Sequence, residues 1–287
     1  MAATSDGGRK ERSDKKVAVE RRDFLKTAPA IAAAGMALDV PAGATRVEIR
    51  VQRTVSVHPR FVRAFIGAAL EATTHSAGVM GIETEVFYNV HAKAQNSDFR
   101  FFTDFNSMAQ YESVFLGKLL SDSKYLDMAA RAVDMITDEP LDELFVRLRP
   151  DDYFMNLRGG KRREFKFEKA SPNPSVKPRY RREREYCASK GRLRDVMQIN
   201  FAFMEDFFSA TNNVPRYYCT RFSVERIGCS KLFFDLDNCP VCDQAFLEQD
   251  EMFSTQFSGM LLTKPIDTLF MRLTPRDGDF NLSKFRN

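Results

Sequence analysis

The chain has 287 residues, 44% hydrophobic with 26 Phe, enough to bury one or two cores. No apolar run reaches the roughly 18 residues of a membrane-spanning helix, and no GxSxG, P-loop or GxGxxG pattern occurs, so hydrolase, NTPase and dinucleotide readings lack motif support. The net charge of +4 is unevenly spread, because Arg158 to Arg194 carries 14 Lys+Arg against 4 Glu.

Residues 1–20 are polar and favour disorder. Arg21-Arg22-Asp23-Phe24-Leu25-Lys26, a mildly apolar Ala28 to Leu38 and the small-x-small Ala42-Gly43-Ala44 then follow in the order of an export signal. This segment resembles a twin-arginine signal peptide, with Glu20 where Ser or Thr is usual and Asp39 close behind the apolar part. The resemblance implies a bacterial, periplasmic protein handled by the twin-arginine export machinery, cleaved after Ala44 and folded before crossing. A basic tail followed by an Ala-rich helix is the alternative.

Val47 to Val57 alternates, with Val47, Ile49, Val51, Val55 and Val57 on one face and Arg50, Gln52, Thr54 and Ser56 on the other, which predicts a strand with one polar face. His58-Pro59 opens a helix in which Phe61, Phe65, Ala68 and Ala69 keep helical spacing, and Gly78 and Gly81 end it. Thr84–Val90 and Phe99–Phe105 read as a hairpin. Asn106-Ser107 caps a second helix running from Met108 to about Met135, and Leu144–Leu148 closes a βαββαβ, ferredoxin-like unit.

That closing stretch returns. DELFVRLRPDDYFMNL, Asp142 to Leu157, reappears 125 positions later (272 − 147) as DTLFMRLTPRDGDFNL, Asp267 to Leu282. Two copies of one small domain are therefore expected, at 45–157 and 193–287, behind a signal at 1–44 and joined by a basic linker at 158–192. The linker holds Gly159-Gly160, Pro172, Pro174 and Pro178. Its Lys161-Arg162-Arg163, Arg179, Arg181 and Arg182, with Phe165, Phe167 and Tyr180, have a composition that grips phosphate backbone. The segment is expected to be a solvated linker, since an exported protein rarely meets nucleic acid.

In the second copy, Arg194 to Phe203 aligns with the first strand, placing Gln198 on Gln52 and Asn200 on Thr54. A Phe-rich helix (Met204–Thr211), strands at Thr220–Arg226 and Lys231–Leu236, a helix capped by Asp237-Asn238 and a last strand at Leu269–Leu273 complete it.

This element order, the phrase NSMAQYESVFLGKLLSDSKYL and the Leu-Phe-rich last strand resemble the dimeric α+β-barrel superfamily, in particular antibiotic-biosynthesis monooxygenases and NIPSNAP proteins. The resemblance implies an α+β fold, two ferredoxin-like sheets closed face to face into one barrel, with a cavity between them and pairing into a homo-oligomer. Inward polar faces would bring Gln52, Thr54, Gln198 and Asn200 to Arg147 and Arg272, with Phe145 and Phe270 on the arginine face. The arginines are candidate clamps for a small carboxylate-bearing or aromatic molecule, bound and then oxidised or isomerised, or they pair with Asp142 and Asp267 and only fasten the fold. The missing general base leaves a non-catalytic scaffold, filled by its own Phe and Met, as an alternative.

All five Cys lie after residue 186 and match no zinc pattern. Cys239-Pro240-Val241-Cys242 at a helix start is either a thiol-redox pair or a static disulfide. His58, His75 and His91 lack ligand spacing for a metal. No motif requires a cofactor; since barrel relatives hold haem through His, His58 or His91 at a barrel rim is the candidate ligand for one, an exposed loop His being the plainer reading.

Overall fold

The structure, a computed structural model, describes residues 48–89, 97–150, 165–170, 178–220, 229–236 and 255–274. The first half contains β1 (Ile49–Val57), α1 (Val62–Met80), β2 (Thr84–Asn89), β3 (Ser97–Phe105), α2 (Ser123–Ala132) and β4 (Leu141–Leu148). The second contains β5 (Tyr180–Cys187), α3 (Leu193–Thr211), β6 (Arg216–Thr220), β7 (Cys229–Leu236) and β8 (Ile266–Leu273). The eight strands form a closed barrel in the order β1-β3-β2-β8-β5-β7-β6-β4, every pair antiparallel.

Moving four strands round this barrel carries β1 to β5, β3 to β7, β2 to β6 and β4 to β8. Strands four places apart in an antiparallel barrel run the same way, so the halves are related by a half-turn about the barrel axis. The register is close: α1 and α3 both span 19 residues, 131 positions apart (193 − 62), and β4 and β8 both span eight, 125 apart (266 − 141). Both long helices also end in a left-handed residue, Gly81 at φ 68° and Asn212 at φ 57°.

Several boundaries differ from the sequence reading. The first strand of the second half is Tyr180–Cys187, inside the segment read as a linker, and 194–203 belongs to α3. Spacing of Val196, Met197, Asn200, Phe203, Met204 and Phe207 is helical, and these residues are buried on one face. β6 likewise lies earlier than expected, at Arg216–Thr220. In the first half, the continuous helix expected from Met108 is broken into a short α turn, a π turn (Tyr111–Leu116) and a 3₁₀ turn (Leu119–Ser121) before α2. Gly117 ends the π turn, where a Cβ would stand 2.6 Å from the Ser113 carbonyl oxygen, so a larger residue would force the turn apart. The signal at 1–44, His91 and Cys239-Pro240-Val241-Cys242 with the helix expected behind them lie outside the described residues.

Apolar clusters lie outside the barrel wall, beneath the helices. Inside, Phe87, Phe102, Phe145, Tyr218, Phe233 and Phe270 form a single aromatic layer. The half-turn pairs them as Phe87 with Tyr218, Phe102 with Phe233 and Phe145 with Phe270. Edge-to-face contacts at 5.4–5.6 Å join Phe87, Phe102, Phe233 and Tyr218, a favourable geometry for ring quadrupoles.

Candidate functional site

Alternate strand residues point the same way, so the inward aromatics of β2, β3, β4, β6, β7 and β8 are flanked by inward polar groups two positions away, and β1 and β5 present only polar groups inward. On one side of the aromatic layer, Arg50 binds both oxygens of Asp104 at 2.6 and 2.7 Å, and Arg181 binds Asp235 at 2.6 and 3.1 Å. Both guanidiniums are fully buried and lie over Phe102 and Phe233. Arg216 bridges Asp104 and Asp235 at 3.4 Å each. On the other side, buried Lys231 meets Glu183 at 2.8 Å and Glu143 and Glu185 at 3.4 Å, while Arg100 donates to Glu183 at 3.1 Å.

The sequence-predicted residues divide between several environments. Gln52 faces inward as expected, donating to Glu143 at 3.1 Å and to Thr54 at 3.4 Å. Arg147 and Arg272 also face inward but are committed to acids, Arg147 to Glu48 at 2.5 Å and Arg272 to Glu83 and Glu85 at 3.2 and 3.0 Å. Asp142 and Asp267 cannot serve them, because an odd residue spacing puts each on the opposite face of the strand. Asp142 instead pairs with Arg53, and Asp267 with Arg182 and Arg184. Gln198 and Asn200 are nowhere near the barrel interior: both are on α3, Gln198 exposed and Asn200 buried beside Tyr186 and Tyr217. Arg181, Arg182 and Arg184 are in ion pairs, and Phe165 and Phe167 are in the core, so these members of the basic segment do not form a phosphate-gripping face.

Six rings and their ion pairs thus occupy the space between the sheets where the sequence reading put a ligand. A cavity lies instead outside the barrel wall, between the first half's sheet and its helices. It measures about 110 Å³. Its helix wall is α1, which presents Ala68, Ala69, Ala72, Thr73 and Ser76, with Met128, Ala129 and Ala132 of α2 beside it. Its sheet wall includes Val51, Val55, Phe101, Thr84 and Thr103.

The second half explains why the cavity exists. At the positions equivalent to Ala72, Thr73 and Ser76, α3 carries Phe203, Met204 and Phe207, all buried in the aromatic core beneath β5–β7. Phe203 and Phe207 pack on Phe234 with centroids 5.7 and 4.7 Å apart. Large side chains fill the space in one half, and small ones leave it open in the other. The signal was legible in the run Ala68-Ala69…Ala72-Thr73…Ser76, whose helical spacing gives a face with little volume.

The charged member of the lining is Arg53. Its Nε and one Nη donate to Asp142 at 2.7 and 2.6 Å. Burial alone would lower the Arg53 pKa, but the Asp142 carboxylate, with Tyr125 contributing, raises it and fixes the cation. Burial pushes the neighbouring Tyr111 phenol up to about 12, with the Asp142 charge adding to the shift. Thr84 and Thr103 hydroxyls meet at 2.9 Å on the sheet wall.

His58 is exposed at a helix start and His75 Nε2 sits 2.8 Å from Asp122 Oδ1 at the cap of α2. Neither lines the cavity. Among the described residues of the second half is a disulfide that the sequence reading missed, Cys187–Cys229, joining directly opposed residues of β5 and β7. Once 180–187 is read as a strand, that pairing follows from register.

No family model matches the chain, and no curated protein matches its sequence. Among solved structures, the fold is similar to a "putative monooxygenase" of Fusobacterium nucleatum, with TM-score 0.58 and 8% identity over 80% of this chain and 94% of that one. A structure so named from Lactobacillus acidophilus aligns with TM-score 0.53 and 9% identity over 79% of this chain and 94% of that one. At these identities the likeness shows the fold, an α+β barrel.

Proposed function

We propose that this chain is a twin-arginine-exported, periplasmic protein that binds, and acts by oxidising, a small and largely apolar molecule in the sheet–helix cavity of its first half. The observation that carries this reading is the asymmetry of the halves: α1 has small residues where α3 has Phe203, Met204 and Phe207. A concave, largely apolar pocket beside a fixed polar edge is the usual form of a small-molecule site. Arg53, held by Asp142, offers a fixed positive charge at that edge. The monooxygenase names of the two similar structures support oxidation over isomerisation. The Cys187–Cys229 disulfide supports export, since such bonds persist in oxidising compartments.

In this reading Arg147 and Arg272 close the barrel by ion pairing and do not clamp the ligand. The experiment is a native intact mass of protein recovered from an export-competent bacterium, followed by ligand-detected NMR and dioxygen uptake with a set of apolar ring compounds. A chain beginning at Thr45 that binds members of the set, and consumes dioxygen with at least one, is the expected result. A chain that keeps residues 1–44 would end the export reading, and a chain that binds none of the set would end the site reading.

A further inference from the structure

The cavity's walls narrow the class of molecule that fits. An engineered apolar cavity of about 150 Å³ in another protein holds benzene, and the space here is about 110 Å³. Room of this order seats a single ring, the half-open mouth leaves space for a small substituent, and fused rings are too large.

The polar groups of the helix wall set the substituent. Thr73 Oγ1 donates to the carbonyl oxygens of Ala69 and Leu70, at 2.9 and 3.2 Å, and Ser76 Oγ donates to that of Thr73 at 2.9 Å. A hydroxyl carries a single proton, so both have spent theirs on their own helix and have only lone pairs left to offer. A molecule meeting these oxygens gains a hydrogen bond if it brings a donor.

We propose that the site selects a single-ring molecule bearing a hydroxyl or amine that donates to Thr73 and Ser76, with Ala72 and Ser76 setting the permitted size. This rests on the reading of the cavity as a ligand site and adds the class of ligand and its determinants. The internal comparison supplies the variants, since Ala72→Phe and Thr73→Met copy Phe203 and Met204 from a half where such residues are already packed.

The test uses phenol, toluene and 2-naphthol, measured by calorimetry on the mature full chain. Phenol is expected to bind about tenfold more tightly than toluene, a difference of one hydrogen bond, and 2-naphthol not to bind. Ser76→Ala should bring phenol down to the level of toluene. Ala72→Phe and Thr73→Met should abolish binding of both while the melting temperature stays near that of the parent. Toluene binding as tightly as phenol would overturn the donor requirement, and 2-naphthol binding as tightly would overturn the size limit. Phenol binding unchanged in a folded Ala72→Phe or Thr73→Met protein would overturn the assignment of determinants. Failure of the underlying site reading is distinct: wild type would then bind no ring compound at all.

Discussion

Arg53 and Asp142 are joined by two parallel hydrogen bonds across the outer face of β1 and β4, and the guanidinium also forms the charged edge of the cavity. Both side chains are about one-fifth exposed, so removing one partner strands a charge that is only partly hydrated. Asp142→Asn should lower unfolding free energy by about 1–3 kcal/mol. Urea unfolding checks this, and the Arg53→Met, Asp142→Leu double variant should recover much of the loss because no lone charge remains.

The Lys231 ammonium is the hub of the inner network, 1% exposed among Glu183, Glu143 and Glu185. Lys231→Met leaves buried carboxylates uncompensated and should cost about 3–5 kcal/mol. Adding Glu183→Gln to it should return part of that stability, measured as a coupling in a double-mutant cycle.

Acid should unfold the barrel through its inner carboxylates. Burial by itself would raise the Asp104 pKa, but the charge and hydrogen bonds of Arg50 override it and hold it at about 2. Burial opposes ionisation of Asp235 and Glu183 as well, and Arg181 and Arg216 for the first, Arg100 and Lys231 for the second, depress both. Groups lowered in the folded state stabilise it above their unfolded pKa, about 4. Their contribution is lost as pH falls towards the folded values. Urea midpoints should therefore stay level above pH of about 5 and drop steeply between about 4 and 2, and Asp104→Asn should flatten that drop.

Ser56 and Asp98 face each other on β1 and β3 at the positions that Cys187 and Cys229 hold on β5 and β7. In the first half the cross-strand link is a hydrogen bond of 2.9 Å, in the second a disulfide. Ser56→Cys with Asp98→Cys should form a second bridge on oxidation and stabilise the fold by about 1–3 kcal/mol. Thiol titration and a reductant-dependent melting temperature would register it; unchanged thiol content would refute the equivalence of the two pairs.

Much of the first half was legible because its strands alternate apolar and polar residues and its turns are marked. β1, β2, β3 and β4 fall where the pattern puts them, and the inward polar face of β1 was visible in Arg50, Gln52 and Thr54. β5 was not, because RYRREREYC looks like solvated chain. Its arginines are drawn in on both faces and paired with acids far along the sequence, Glu85, Asp235 and Asp267. Losing β5 slid the alignment of the halves and turned part of α3 into a strand, which drew Gln198 and Asn200 into a site they do not occupy. The cavity itself depends on which small residues face an unfilled volume, and that emerges only when Ala72 and Ser76 are set beside Phe203 and Phe207.

The half-turn symmetry of the barrel is carried by one continuous chain, and this frees the halves from having to match. Two identical subunits closing the same barrel would inherit every substitution twice, so a Phe that tightened one helix–sheet layer would close the other as well. Within one chain, Phe203 and Phe207 can rigidify one side while Ala72 and Ser76 keep the other receptive. Tight packing and open space are thereby divided between sides, and on the function proposed above a ligand titration should saturate at one molecule per chain.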